Sequence, residues 1–317
     1  MPIGFGIASS HAPGMYNTED WGYERVNSPA RRMPGPQPVS LMDKITKDDI
    51  KSDYKRFRAG HKALKDMLAK YNPDALIYIG GDQSEVMDKS NKANLMMYTG
   101  AQAYGYNSAT GQKLQEEFRV NLKCDVDLSK HLLKELIKTG FDVAQSSEIK
   151  PLGRMPEKGI SHAFSNPINE ILPRPDLPVV LFWENTYDPP ALLPASRCYE
   201  LGKALAKILE KDPRRIAIYG SGGLSHDPGG PRWGWVDEPL DRWVLEQITT
   251  GNGQNLKDMW EFDSMTLSGG TGEIRAWVTV AGAMEHMGAK ATVVDYFPAL
   301  ETVTGIGFAH WQAPGVK

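Results

Sequence analysis

Cysteine is scarce in this chain. Cys124 and Cys198 are the only two in 317 residues, and no CxxC spacing joins them. A disulfide framework and a cysteine-based zinc site are thereby excluded, and a reducing cytoplasm is the expected setting. Long apolar runs are also missing. None approaches the ~20 residues needed to span a bilayer, and the opening MPIGFGIASSHAPG lacks both the basic start and the apolar stretch of a secretion signal. There is no excess of charge: 36 Lys and Arg against 39 Asp and Glu leave a net charge of -3, so nothing marks the chain for nucleic acid or an anionic membrane. No internal repeat and no low-complexity linker interrupts it.

What is present is an ordinary globular composition, 41% hydrophobic and 24% charged, in which short apolar runs alternate with amphipathic stretches. Strands are expected at Ile3–Ala8, Ala75–Ile79, Phe141–Ala144, Leu177–Trp183, Arg215–Tyr219 and, last, Ala291–Tyr296. Helices are expected at Asp48–Tyr71, Leu128–Thr139, Ser196–Lys211, Leu240–Thr249 and Glu273–Gly288. This alternation predicts a single α/β domain over residues 1–317 with a central mostly parallel or mixed sheet flanked by helices. An irregular insertion rich in Pro, Gly, Asn and Arg is expected at about residues 15–47.

The residues able to do chemistry sit at the ends of predicted strands, where open α/β sheets bind small molecules. His11 follows the first strand. Asp82, Gln83 and Glu85 follow the second, and His162 lies in the turn GISH. His226 lies in YGSGGLSHDPGGPRWGW, a loop that lacks both glycine-rich phosphate-binding patterns. Glu273 follows SGGTG at a helix start, where a carboxylate also serves the helix dipole. Two histidines and a carboxylate form the ligand set of non-haem Fe(II) oxygenases, but no HxxxH or HxD spacing marks a local metal site here. His61, His131 and His286 read as solvated faces or caps, His310 is unassigned, and Trp233, Trp235 and Trp243 read mostly as core.

Six segments together resemble the class III extradiol ring-cleavage dioxygenases. They are SSHAP at Ser9–Pro13, GGDQ at Gly80–Gln83, SHAF at Ser161–Phe164, NTYDPP at Asn185–Pro190, GSGGLSHDPGGPRWG, and GTGEIRAW ending at Trp277. The resemblance implies Fe(II) and dioxygen as cofactor and co-substrate, a catechol- or gallate-type ring as substrate, and a homo-oligomer. His11 and Glu273 would ligate the iron, and His226 would carry protons. His162 would be a second catalytic histidine, and Asn185 and Tyr187 would border the substrate. The family's second histidine ligand is replaced by Gln83. Gln83, Asp82 or Glu85 could complete the site, His162 could move in, or the metal could be lost. A metal-dependent hydrolase and a metal-free binding protein are the alternative readings. Arg25, Arg31, Arg32 and Arg232 are candidates to pair with a substrate carboxylate.

Overall fold

Strand Ala75–Gly80 (β2) shows why this chain folds around a sheet covered on both sides. Ile77 and Ile79 point into one hydrophobic core, while Leu76 and Tyr78 point into another. Successive side chains face opposite sides of a strand. A strand buried on both faces therefore reads as a continuous apolar run rather than an alternation. Strands Ile3–Ser9 (β1), Val179–Glu184 (β7) and Ile216–Ser221 (β8) are buried along their whole length in the same way.

The computed structural model describes residues 3–27, 45–107, 115–150, 156–261 and 264–316. Its main sheet has eight strands. The others are Leu95–Tyr98 (β3), Ala144–Ser146 (β6), Ala291–Ala299 (β9) and Thr304–Gln312 (β10), while Gln102–Tyr106 (β4) and Arg119–Lys123 (β5) form a separate hairpin. The order is β6-β3-β7-β2-β8-β1-β10-β9. The central four, β7, β2, β8 and β1, run parallel, with Gly80 and Ser9 both in register with Ser221. β3, β9 and β10 join antiparallel, which makes the sheet mixed. Helix Lys47–Tyr71 (α2) covers one face. Val126–Lys138 (α3), Ala195–Ile208 (α6), Glu238–Thr250 (α7) and Ile274–His286 (α8) cover the other. The remaining helices are Glu19–Asn27 (α1) and the single turns His162–Ser165 (α4) and Ile168–Ile171 (α5). Among the described residues no helix is long and apolar enough to cross a membrane.

Several expectations change. The start of the expected irregular insertion is helical, with a 3-10 turn at Pro13–Tyr16 followed by α1. Residues 28–44 of it, with Arg31 and Arg32, lie outside the described residues. The strand expected at Phe141–Ala144 begins only at Ala144, because Phe141 turns into the core instead. Ala291–Tyr296 is not the last strand. β9 runs on to Ala299 and turns back into β10, which inserts between β9 and β1. His61 is not on a solvated face: it is fully buried on the inner side of α2, against Phe57 and Phe308.

Candidate active site

Parallel strands in register bring their carboxyl ends to one edge of the sheet, and the loops leaving that edge build one cavity. Its volume is about 380 Å³, and His11, Gln83, His162, His226 and Glu273 all line it. His11 leaves β1 two residues after its end, Gln83 comes from the loop after β2, and His226 from the loop after β8. Glu273 sits at the N-cap of α8. Ser161 donates to the Gly81 carbonyl at 2.8 Å and so ties the His162 turn to the end of β2.

Three imidazoles are held by the same device. The Ser221 hydroxyl donates its hydrogen to the Ala163 carbonyl at 2.7 Å. It must therefore accept from His11 Nδ1, 2.9 Å away. His226 Nδ1 can only donate to the Leu224 carbonyl, at 2.8 Å. His162 Nδ1 donates to the Glu85 carboxylate at 2.9 Å, and the His162 backbone amide donates to the same group at 2.6 Å. In the neutral form of each ring the hydrogen is then fixed on Nδ1 and the lone pair on Nε2. A hydrogen bond on the far nitrogen is how proteins orient a histidine for ligation or proton transfer. The rings of His11 and His162 meet edge to face at 5.0 Å.

Glu273 sits among them. Its Oε2 accepts from the Gly223 amide at 2.7 Å and stands 3.7 Å from Nε2 of both His11 and His226. Its Oε1 accepts a short hydrogen bond from the Gln83 amide. Burial pushes the His11 pKa down to about 4 although Glu273 pulls it up, so that ring is neutral at neutral pH. Burial alone would raise the Glu273 carboxyl, but the facing imidazoles and the Gly223 amide hold it below its ordinary value, so it is ionised.

The result is a buried anion beside a neutral imidazole, and buried charges are paired or bind metals. This donor set fits a divalent cation. His11 Nε2 and Glu273 are an imidazole and a carboxylate ready to ligate, and the Gln83 amide already places positive dipole where a cation would sit. Among the described residues no three His, Cys, Asp or Glu side chains form a metal-holding group, and the Gln83 amide is the polar group beside Glu273 that could serve as a third donor. Asp82 and Glu85 do not supply it. Asp82 accepts from the amides of Val86 and Met87 and from Lys92, which pins the loop, and Glu85 is occupied with His162.

The structure gathers His11, Gln83, His162, His226 and Glu273 but does not bring Asn185 or Tyr187 into the cavity wall. Asn185 Oδ1 accepts from the Asp188 amide at 3.0 Å and shapes the turn after β7. The Tyr187 hydroxyl donates to the carbonyl of Pro228, which does line the cavity. Lining residues not singled out from the sequence include Trp21 on α1 and Thr302, Val303 and Thr304 at the β9–β10 turn. Trp233 also lines the cavity and is not core, while Trp235 and Trp243 are exposed. Thr304 makes an antiparallel bridge with His226, which fixes that loop to the sheet. Gly270 is required here by close approach, since a Cβ at this position would overlap the His226 ring.

Comparison with known proteins shows the family. A family described as the catalytic LigB subunit of aromatic ring-opening dioxygenase matches residues 6–307. Gallate dioxygenase of Pseudomonas putida is 28% identical over 185 residues, covering 56% of this chain and 50% of that protein. A 2,3-dihydroxyphenylpropionate/2,3-dihydroxicinnamic acid 1,2-dioxygenase of a Mycobacterium is 27% identical over 206 residues, covering 65% of this chain and 56% of that protein. The chain thus spans about half the length of these two relatives. The corresponding enzyme 1 of Dechloromonas aromatica is 21% identical over 283 residues, covering 75% and 85%. The crystal structure of an uncharacterised Escherichia coli K12 protein overlaps 96% of this chain and 99% of its own, with a TM-score of 0.48 and 12% identity. With the family matched from β1 into β10, this chain belongs to the LigB family of aromatic ring-opening dioxygenases.

Proposed function

We propose that this protein opens an aromatic ring beside two vicinal hydroxyls, in the extradiol manner, with Fe(II) and dioxygen. One observation carries the reading: three imidazoles with their Nδ1 hydrogens committed share a cavity with one ionised, buried carboxylate. His11, Glu273 and the amide oxygen of Gln83, once that side chain turns over, would hold the metal. Iron bound there would supply a common point for catecholate and dioxygen.

The rest falls to the chain's own groups. Only Nε2 of His226 can accept a proton, because its Nδ1 hydrogen is tied to Leu224. It takes the proton of a ring hydroxyl and returns it as the ring opens. Glu273 Oε2, 3.7 Å away, stabilises the charged ring in between. His162, braced by Glu85, offers Nε2 to a second substrate hydroxyl. The relatives' names, gallate and dihydroxyphenylpropionate, point to hydroxylated aromatic acids as the substrate class.

A second reading, a metal-free binding protein, is favoured by Gln83 alone, whose amide satisfies Glu273 without a metal. The test is protein purified without oxygen, loaded with Fe(II), and given catechol, gallate and 2,3-dihydroxyphenylpropionate in an oxygen electrode. Ring cleavage predicts oxygen consumed mole for mole with substrate. Iron retained with no oxygen uptake on any of them overturns the proposal. Failure to retain iron, restored by Gln83→His, would identify Gln83 as the metal-facing position and the native protein as the metal-free member.

A further inference from the structure

We propose that Arg25 selects the substrate of this cavity by taking the carboxylate of an aromatic acid. Helix α1 carries Trp21 and Arg25 one turn apart, and both line the cavity. Trp233, from the loop that follows His226, faces them. The Arg25 guanidinium carbon lies 5.1 Å from the Trp21 ring centre and 5.7 Å from that of Trp233. Its Nε is buried with no hydrogen-bond partner among the described residues.

Three other half-buried or buried arginines are spent internally. Arg56 forks onto Asp295, Arg214 onto Asp212 and Asp125, and Arg275 donates to the carbonyls of Leu193 and Gly272. Arg232 also has unpartnered nitrogens, but it does not line the cavity. Arg25 is thus held in place by aromatic faces, which stabilise a cation without consuming its N–H donors. Among the described residues the Arg25 Nε donor is unmet, and the planar fork matches a carboxylate with two parallel hydrogen bonds.

The cavity wall carries both signs of charge, with Glu273 acidic and Arg25 basic. A ligand with its own carboxylate is repelled from the first and drawn to the second, so its ring presents the opposite edge to His226 and His11. The same contact therefore selects the ligand and orients it. This inference rests on the ring-cleavage reading only for the hydroxyls placed on that opposite edge.

The test uses two probes of matched shape, 3,4-dihydroxybenzoate and 3,4-dihydroxybenzamide, titrated into the full-length protein without oxygen by calorimetry. The native protein should bind the acid roughly 10–100-fold tighter than the amide, as a charge-assisted hydrogen-bond pair implies. In Arg25→Gln that ratio should fall to near one. In Arg25→Lys, which keeps the charge and loses the fork, it should lie between. A native protein without preference, or an Arg25→Gln ratio equal to the native one, overturns the proposal. If thermal unfolding shows Arg25→Gln to be misfolded, an Arg25→Lys ratio equal to the native one does the same. Because binding is read without turnover, an Arg25-dependent preference stands even if no oxygen is consumed. A native protein with no preference would overturn this inference and leave the ring-cleavage reading standing.

Discussion

Glu184 should make this fold weaken as the pH rises from about 5 to 8. The residue ends β7 and is fully buried. Oε1 accepts from the Thr279 hydroxyl at 2.5 Å, and Oε2 has no partner among the described residues. Burial raises its pKa from 4.5 to about 8, although Thr279 and Arg275 pull it down. Between those values the folded chain keeps a proton that the unfolded chain has released, so stability is full below pH 4.5 and falls until about pH 8. The interval is about 3.5 pH units at about 1.4 kcal/mol each, an upper limit of about 5 kcal/mol. Between pH 5.5 and 7.5 the share is about 3 kcal/mol. Glu184→Gln carries an uncharged group of the same shape at every pH. Urea unfolding of both proteins at pH 5.5, 6.5 and 7.5 measures the effect as a difference, in which every other titrating group cancels. The variant should gain about 3 kcal/mol relative to the native protein over that range. A difference that stays flat with pH would refute a neutral buried Glu184.

Other perturbations address the site and its supports. Gly270→Ala drives a methyl into the His226 ring, and ring-cleavage kcat/KM should fall by about 100-fold or more while the fold survives, as oxygen uptake and circular dichroism would report. Glu85→Gln removes the anionic acceptor from His162 Nδ1 and should cost about 10–100-fold in activity with a shifted pH profile; an unchanged profile would show that His162 needs no such brace. His61 is buried and its pKa is pushed down to about 3. A depressed histidine is neutral when folded but charged when unfolded, so stability should fall as pH drops below about 6.5, by about 1.4 kcal/mol per unit toward pH 3. His61→Phe should flatten that acid limb in urea titrations, and a limb of unchanged slope would place the proton elsewhere.

The central strands were readable because both of their faces are buried, so β2, β7 and β8 are uninterrupted apolar runs. His11, Gln83 and His226 were readable for a related reason, since polar side chains soon after such runs sit at the sheet edge, whereas His162 and Glu273 open helices after glycine-containing turns and carried no such strand signal. His61 was misread even though a signal existed. It falls on the stripe of Tyr54, Phe57, Leu64 and Leu68, in steps of three and four, and that stripe is the buried face of α2. β10 was missed because Gly305 and Gly307 break its apolar pattern and depress strand propensity. Trp21, Arg25 and Trp233 carry no local pattern at all. They meet only because α1 and the loop after β8, about 200 residues apart, fold over the same strand ends.

The pairing of β1 with β10 has a consequence for synthesis. His11 and Thr304, which bridges to His226, lie about 290 residues apart in the chain and meet in one cavity. A ribosome emits about 5–20 residues per second, and contacts this distant in sequence close late. The Thr304 bridge to His226 can therefore form only after β10 has been made. Chains cut short before β10 lack the Thr304 bridge that fixes the His226 loop, so the cavity that gathers His11 and Glu273 is incomplete in them.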